Sequence, residues 1–330
     1  MDIQKKIMLL DTSVSSENLG DFIIMDAVYK ELHGIFPNAF FANAATHDTV
    51  GIAARKIHEL YDYTFIGGTN LLSGIYLGRN RMQWKMGFKD SKQFNDVIGL
   101  ALGWSNYLNY SAIKYRPFVL LQKLFYQRIM NSRIIHSVRD SYTQKKFDEY
   151  GIKSINTSCV TMWQLTENYL SHIKRDKSSA AILTITDYCA DEEYLLAYRE
   201  MIEIVLKNYG TVFLWLQSPA DLKIVKSLDI KDFSRIKIVP PNLESYNYIL
   251  GKGVDYIGTR LHGGIRSLQK GNRSLIIEVD NRAKEIAKDT NLPTLNYKNI
   301  DRLDDWINHD QIMDVHVPFD NIAKWKAQFE

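Results

Sequence analysis

The sequence predicts an α/β protein with two open domains of similar size, each built on a parallel sheet. Three observations lead there. Short apolar runs alternate with longer segments of helical period, the rhythm of stacked βα units. The rhythm starts afresh after the polar segment Thr166–Ser179, which carries His172, Lys174, Arg175, Asp176 and Lys177 and marks a linker. At 330 residues the chain is also longer than one hydrophobic core usually organises. The boundaries fall at residues 1–168 and 176–330, with the last helix expected to pack back on the N-terminal domain.

In the first half, Ile7–Leu10 predicts a strand, followed by the polar loop Asp11–Leu19. A helix follows over Asp21–His33, with Ile24, Val28 and Leu32 on one face. Phe40–Ala42 is a weaker strand, and Val50–Leu60 a helix. Tyr63–Ile66 stops at Gly67-Gly68, Val97–Leu102 at Gly103, and Ile134–Val138 at Arg139-Asp140. A helix bearing Tyr142, Phe147 and Tyr150 ends at Gly151, a residue suited to a helix stop. In the second half the strands are Ala181–Ile185, Val212–Leu216, Ile236–Val239, Tyr256–Thr259 and Leu275–Val279. Helices over Asp191–Lys207, Ala220–Ser227, Leu243–Leu250 and Ala283–Thr290 separate them.

Composition excludes several classes. A formal charge of +3, no basic tail and no zinc-finger or RNP-type pattern argue against nucleic acid. Two cysteines, Cys159 and Cys189, argue against a disulfide framework or a structural zinc site and suit a reducing cytoplasm. No run is apolar enough to span a bilayer, and Asp11 ends the N-terminal apolar run too early for a signal peptide. The histidines share no metal-ligand spacing, so no metal or cofactor is expected. The expectation is a cytoplasmic protein, with peripheral contact at the inner face of the cell membrane open to it. Ile113–Arg128 is aromatic and apolar with Lys114, Arg116, Lys123 and Arg128 at its edges. That composition suits either a membrane-surface helix or a buried helix with solvated basic edges, and the second is the expectation. Oligomeric state is open.

In an open parallel sheet, ligands sit beyond the carboxyl ends of the strands, and four segments fall there. The most informative is Val254–Gly271, where an apolar run climbs to Arg260-Leu261-His262 and breaks at Gly263-Gly264. As a strand running into a helix, it would put Arg260 and His262 on one side. Cation, imidazole and fresh helix start would then meet where an anion must also receive a proton. The alternative is a basic strand end with an ordinary turn. Asn18-Leu19-Gly20-Asp21 offers a carboxylate able to take a proton from an alcohol, or a helix cap. Gly67-Gly68-Thr69-Asn70 can bend around ligand oxygens, or simply turn; it lacks the P-loop ending and the three-glycine dinucleotide spacing. Arg139 can hold a carboxylate or phosphate through paired bonds, or close its turn against Asp140. Arg79, Arg81 and Trp84 are a further candidate sugar contact.

Taken in order, these segments resemble the polysaccharide pyruvyl transferase family over most of the chain. The correspondence runs through Asn18-Leu19-Gly20-Asp21, Gly67-Gly68, Val138-Arg139-Asp140, Arg260-Leu261-His262-Gly263 and Asn281-Arg282-Ala283-Lys284. The resemblance implies two Rossmann-like domains with parallel sheets facing a central cleft, similar to the GT-B glycosyltransferases. It implies transfer of pyruvate from phosphoenolpyruvate onto two hydroxyls of one sugar, giving a cyclic ketal in exopolysaccharide, capsule or cell-wall glycan synthesis. It also assigns roles: His262 and Asp21 as catalytic groups, with Arg139, Arg260, Leu261, Gly263 and Gly264 around phosphoenolpyruvate. Gly67, Gly68, Asn70, Asn18 and Trp163 fall on the side of the sugar acceptor, which is free or lipid-linked. Two rival readings stay open: a GT-B-type glycosyltransferase using a nucleotide sugar, and a non-catalytic glycan-binding subunit.

Overall fold

The computed structural model describes residues 4–78, 83–105, 107 and 112–330. Arg79 and Arg81 lie outside the described residues. The chain divides into two compact units. One comprises residues 1–16, 24–163 and 318–330, the other residues 17–23 and 164–317. Asp21, placed above in the N-terminal domain, therefore groups with the second unit.

The first unit holds β1 (Lys6–Asp11), most of α1 (Leu19–Ile35), β2 (Phe40–Ala45), α2 (Ile52–Leu60), β3 (Tyr63–Gly67), β4 (Val97–Leu100), α3 (Arg116–Ile129), β5 (His136–Val138), α4 (Ser141–Tyr150) and β6 (Ser154–Asn156). Four parallel strands pair in the order β2-β1-β3-β4, and β5 pairs with β6. The central strands are buried on both faces, which is why their sequences are continuous apolar runs rather than alternating ones. Gly151 caps α4 at a left-handed φ of 71°, a conformation that glycine enters without steric cost.

Between β4 and β5, two backbone amides are met by side chains rather than by carbonyls. His136 Nδ1 accepts from the Gly99 amide at 3.0 Å, and Ser137 Oγ accepts from the Ala101 amide at 2.8 Å. His136 Nε2 donates to the Asn131 carbonyl at 2.9 Å, so the ring is neutral with its proton on Nε2. Burial holds this imidazole down at about 4. An unfolded histidine titrates near 6.5, so the unfolded chain takes up this proton first as the pH falls. The stabilisation is complete above about pH 6.5 and is lost on the way down to about pH 4, a loss of about 3 kcal/mol. Melting temperatures measured across that window should fall steeply in the native protein. His136→Asn, which keeps an acceptor but cannot titrate, should remove much of the slope.

The C-terminal helix Phe319–Lys326 closes the first unit. Trp325 is fully buried, its ring edge-on to Phe65, Trp163 and Phe329 at 5.0–6.2 Å. Gln328 bonds both the amide and the carbonyl of Ile135 at 2.8 and 3.1 Å. Trp325→Ala should destabilise the unit by about 3–5 kcal/mol, read from the urea midpoint by circular dichroism.

The second unit holds α5 (Glu167–Ser171), β7 (Ala180–Thr184), α6 (Glu192–Asn208), β8 (Thr211–Trp215), α7 (Pro219–Ser227), β9 (Ile236–Val239), α8 (Leu243–Leu250), β10 (Asp255–Gly258), α9 (Leu261–Leu268), β11 (Ser274–Glu278), α10 (Asn281–Thr290), β12 (Thr294–Asn296) and α11 (Leu303–Asn308). The segment expected to be a linker thus contains the short helix α5, started by Thr166 accepting from the Tyr169 amide. The six parallel strands run β12-β11-β10-β7-β8-β9. Counted within the unit, this is the Rossmann order, and it reverses between β7 and β10. One core, from Ala181 through Leu214 and Ile257 to Ile307, underlies the sheet. A crevice beyond the carboxyl ends of β7 and β10 is where this topology holds ligands.

Candidate functional site

At that end of the sheet, residues following four strands of the second unit gather. Strand β10 stops at Gly258 rather than continuing through Arg260, as the sequence suggested. Arg260 is the N-cap of α9, and Leu261, His262, Gly263 and Gly264 are its first residues. The two glycines therefore do not break the chain before the helix. They let it sit close to the sheet: a Cβ on Gly264 would lie 2.4 Å from Ile276, and one on Gly263 3.3 Å from the Tyr256 hydroxyl. His262 belongs to the first helical turn and is buried.

A closed set of hydrogen bonds fixes this turn. The Arg260 amide donates to Thr184 Oγ1 at 3.3 Å, and the Tyr256 hydroxyl, in contact with that oxygen, donates to the Arg260 carbonyl at 2.6 Å. Tyr246, stacked on Trp215, donates to the Gly263 carbonyl at 2.8 Å.

The Arg260 guanidinium is only 2% exposed and is held from several sides. Nε donates to Asp221 at 3.2 Å, while Nη2 donates to Asp187 at 2.9 Å, Ser218 at 3.1 Å and the second oxygen of Asp221. Burial opposes its charge, and Asp221, Tyr188 and Asp187 outweigh that opposition, so its pKa is raised. Burial likewise pushes the Asp221 carboxyl up, with Arg260 and Ser218 pulling it back. Asp221 also accepts from the Gln217 and Ser218 amides, completing a capping box at the start of α7. Nη1 of Arg260 is buried and has no hydrogen-bond partner among the described residues; the same holds for Oε1 of Gln217.

A second guanidinium shares the site. Arg260 and Arg282 both lie over the Tyr188 ring, at 4.5 and 4.6 Å from its centre. Arg282 is paired with Asp280, the N-cap of α10, and its pKa is raised: burial lowers it, but Asp280 and Tyr188 prevail. The Asn18 segment completes the set within this unit. Asn18 Oδ1 accepts from the Gly20 amide at 3.0 Å and from Gln217 Nε2 at 2.8 Å, and the Leu19 amide donates to the Gln217 carbonyl at 2.9 Å. Asp21 follows in the first turn of α1 and is buried.

The structure thus brings together Arg260, Leu261, His262, Gly263 and Gly264 with Gln217, which in turn anchors Asn18 and the turn leading to Asp21. It adds Asp187, Tyr188, Ser218, Asp221 and Arg282, which sequence reasoning did not single out as site residues. Their common signal is position, since each falls within a few residues of the carboxyl end of β7, β8 or β11.

In the first unit, Arg139 follows β5 and Gly67-Gly68 closes β3. Arg139 Nε donates to Asp140 at 3.0 Å and Nη2 to Asn70 at 2.8 Å, and the guanidinium packs directly on Gly103, where a Cβ would come within 2.3 Å. Asp140 also caps α4 through the Thr143 amide. Arg139 is therefore engaged in closing its turn, and Asn70 is its partner; both were expected to face substrates. Trp163, expected on the acceptor side, is buried, with its indole N–H bonded to the Thr157 carbonyl at 2.9 Å and its ring against Trp325. Trp84 is likewise a core residue. Among the described residues, no three His, Cys, Asp or Glu side chains cluster as metal ligands.

The model of the family described as polysaccharide pyruvyl transferase matches residues 18–281, running from Asn18 through the Arg260 turn to the start of α10. The chain belongs to this family. Membership supports a transferase acting in polysaccharide biosynthesis. No curated protein matches the chain. Among solved structures, it is similar to the S. aureus MnaA–UDP complex, with a TM-score of 0.53 and 10% identity over 99% of this chain and 98% of that one. A UDP-N-acetylglucosamine 2-epimerase aligns with a TM-score of 0.53 and 13% identity, over 100% of this chain and 95% of that one. The Rickettsia bellii UDP-N-acetylglucosamine 2-epimerase gives 0.50 and 11%, over 99% and 95%. These likenesses establish the GT-B type of fold.

Proposed function

We propose that the protein transfers pyruvate from phosphoenolpyruvate to two hydroxyls of a sugar, releasing phosphate and forming a cyclic ketal. The observation that carries this reading is the Arg260 guanidinium, locked by Asp221, Asp187 and Ser218 with Nη1 buried and unspent, beside Arg282 and the amide end of α9. Phosphoenolpyruvate carries a carboxylate and a phosphate, and two fixed guanidiniums beside the positive end of a helix suit that pair of anions. His262 gives a proton to the methylene carbon, which becomes a methyl group. Asp21 takes the proton of the first sugar hydroxyl as its oxygen bonds to the neighbouring carbon. The phosphate then leaves with the C–O electron pair and takes the proton held by Asp21, and the second hydroxyl of the same sugar closes the ring as its proton returns to His262, an intramolecular step favoured by proximity. Gln217 Oε1, a buried acceptor without a partner among the described residues, can receive an acceptor hydroxyl. In this reading Arg282 shares the donor with Arg260, and Arg139 shapes the Gly67-Gly68 turn through Asn70.

The test is phosphate release from phosphoenolpyruvate with a panel of galactose-, glucose- and mannosamine-type acceptors, with mass spectrometry of the sugar product. A gain of one pyruvate with loss of one water relative to the free acid, and no turnover of UDP-sugars, supports the assignment. Consumption of a UDP-sugar instead, or glycan binding without turnover of either donor, overturns it.

A further inference from the structure

We infer that the solvent-facing side of α3 in the first unit docks on an anionic phospholipid surface. The helix has two apolar stripes. Phe125, Tyr126 and Ile129, with the buried amide of Gln122 beside them, form the buried one. Pro117, Leu120, Leu121 and Leu124 follow the same helical spacing on the opposite side, and all four are exposed. Leu120 is 57% exposed, Leu124 44%, and Ile113 just before the helix 78%. The sequence expectation of a buried helix with solvated edges therefore describes only half of this element. An exposed apolar stripe of this length is a hydration cost unless something apolar covers it.

Charge indicates what covers it. From residue 97 to 132 there is no Asp or Glu, while Lys114, Arg116, Lys123 and Arg128 lie in the same stretch. Lys114 and Arg116 are exposed at the start of the helix. At its other end Arg128 bonds the Ser91 carbonyl at 3.1 Å, which brings the short turn Asp90–Lys92, with exposed Lys89 and Lys92, alongside. On the α4 side, Glu149 is paired with Lys146 at 2.9 Å. Leucines flanked by cations on a helix lying along the surface match the boundary between headgroups and acyl chains in an anionic leaflet. A basic surface of this kind disfavours a second copy of itself, because the like charges would meet.

The docking is independent of the chemistry proposed above and is tested without substrate. The intact protein is co-sedimented with vesicles of phosphatidylcholine alone and of phosphatidylcholine mixed with phosphatidylglycerol, at low and high salt. The expected result is binding to the mixed vesicles at low salt, at least about tenfold weaker on phosphatidylcholine alone and similarly weakened by salt. Leu120→Glu/Leu124→Glu and, separately, Lys114→Glu/Arg116→Glu should each reduce it by about tenfold or more with unchanged thermal melts. Absence of binding to the mixed vesicles, or equal binding by the leucine variant, overturns the inference. So does sedimentation equilibrium showing self-association that the leucine variant abolishes while vesicles are ignored.

Discussion

Arg260→Ala is expected to lower kcat/KM for phosphoenolpyruvate, followed by phosphate release, by about a thousandfold or more. The reason is geometric as much as electrostatic. The guanidinium divides its donors between holding its own position and presenting Nη1, and no other side chain can do both. Arg260→Lys keeps the charge but loses the fork that spans Asp221, Ser218 and Asp187, so it should recover little of the loss. The lysine variant should show chiefly a raised KM for phosphoenolpyruvate. His262→Ala, by contrast, should lower kcat by about a hundredfold or more with a smaller change in KM, because a proton donor acts in the transition state. Normal turnover by either purified alanine variant would remove that residue from the reaction.

The second large effect is on stability. Asp221 is fully buried, and its two oxygens accept from Arg260, Ser218 and the Gln217 amide. Asp221→Ala strands a buried guanidinium and uncaps α7, and should cost about 3–5 kcal/mol. The double variant Asp221→Ala/Arg260→Met should restore much of that stability while remaining inactive, since it removes the uncompensated charge but not the catalytic defect. Urea titrations of the single and double variants check this; a double variant as unstable as the single one would show that the helix cap, rather than the ion pair, dominates.

Much of the fold was legible because parallel strands covered on both faces write themselves as apolar runs, as Ile7–Leu10 and Tyr256–Thr259 do. Gly151 announced the end of α4 for an equally local reason, the left-handed turn. The Arg260 segment was legible as a site but not as geometry. Gly263-Gly264 has the composition of a breaker, yet its function is to admit Ile276 and Tyr256 against a helix already begun, and that contact comes from strands elsewhere in the chain. Tyr188 between two guanidiniums, and Asp221 beneath one of them, have no motif at all; each is a single residue after a strand, assembled only by the order of strands in the sheet. Arg139 illustrates the converse, since the same Val-Arg-Asp sequence serves a free guanidinium or a turn-closing one, and only the positions of Asn70 and Gly103 distinguish them. Helix α3 has apolar residues at helical spacing on two sides, so periodicity gives the helix but not which side the core takes.

The join between β4 and β5 gives the first unit an acid-sensitive contact in its interior. Two peptide protons, those of Gly99 and Ala101, are sheltered by an imidazole lone pair and a hydroxyl instead of by a neighbouring backbone. Protonating His136 takes away one shelter and puts a positive charge in a dry place, so acid loosens the join between the four-stranded sheet and the β5-β6 pair. Deuterium uptake at those two amides would quicken first.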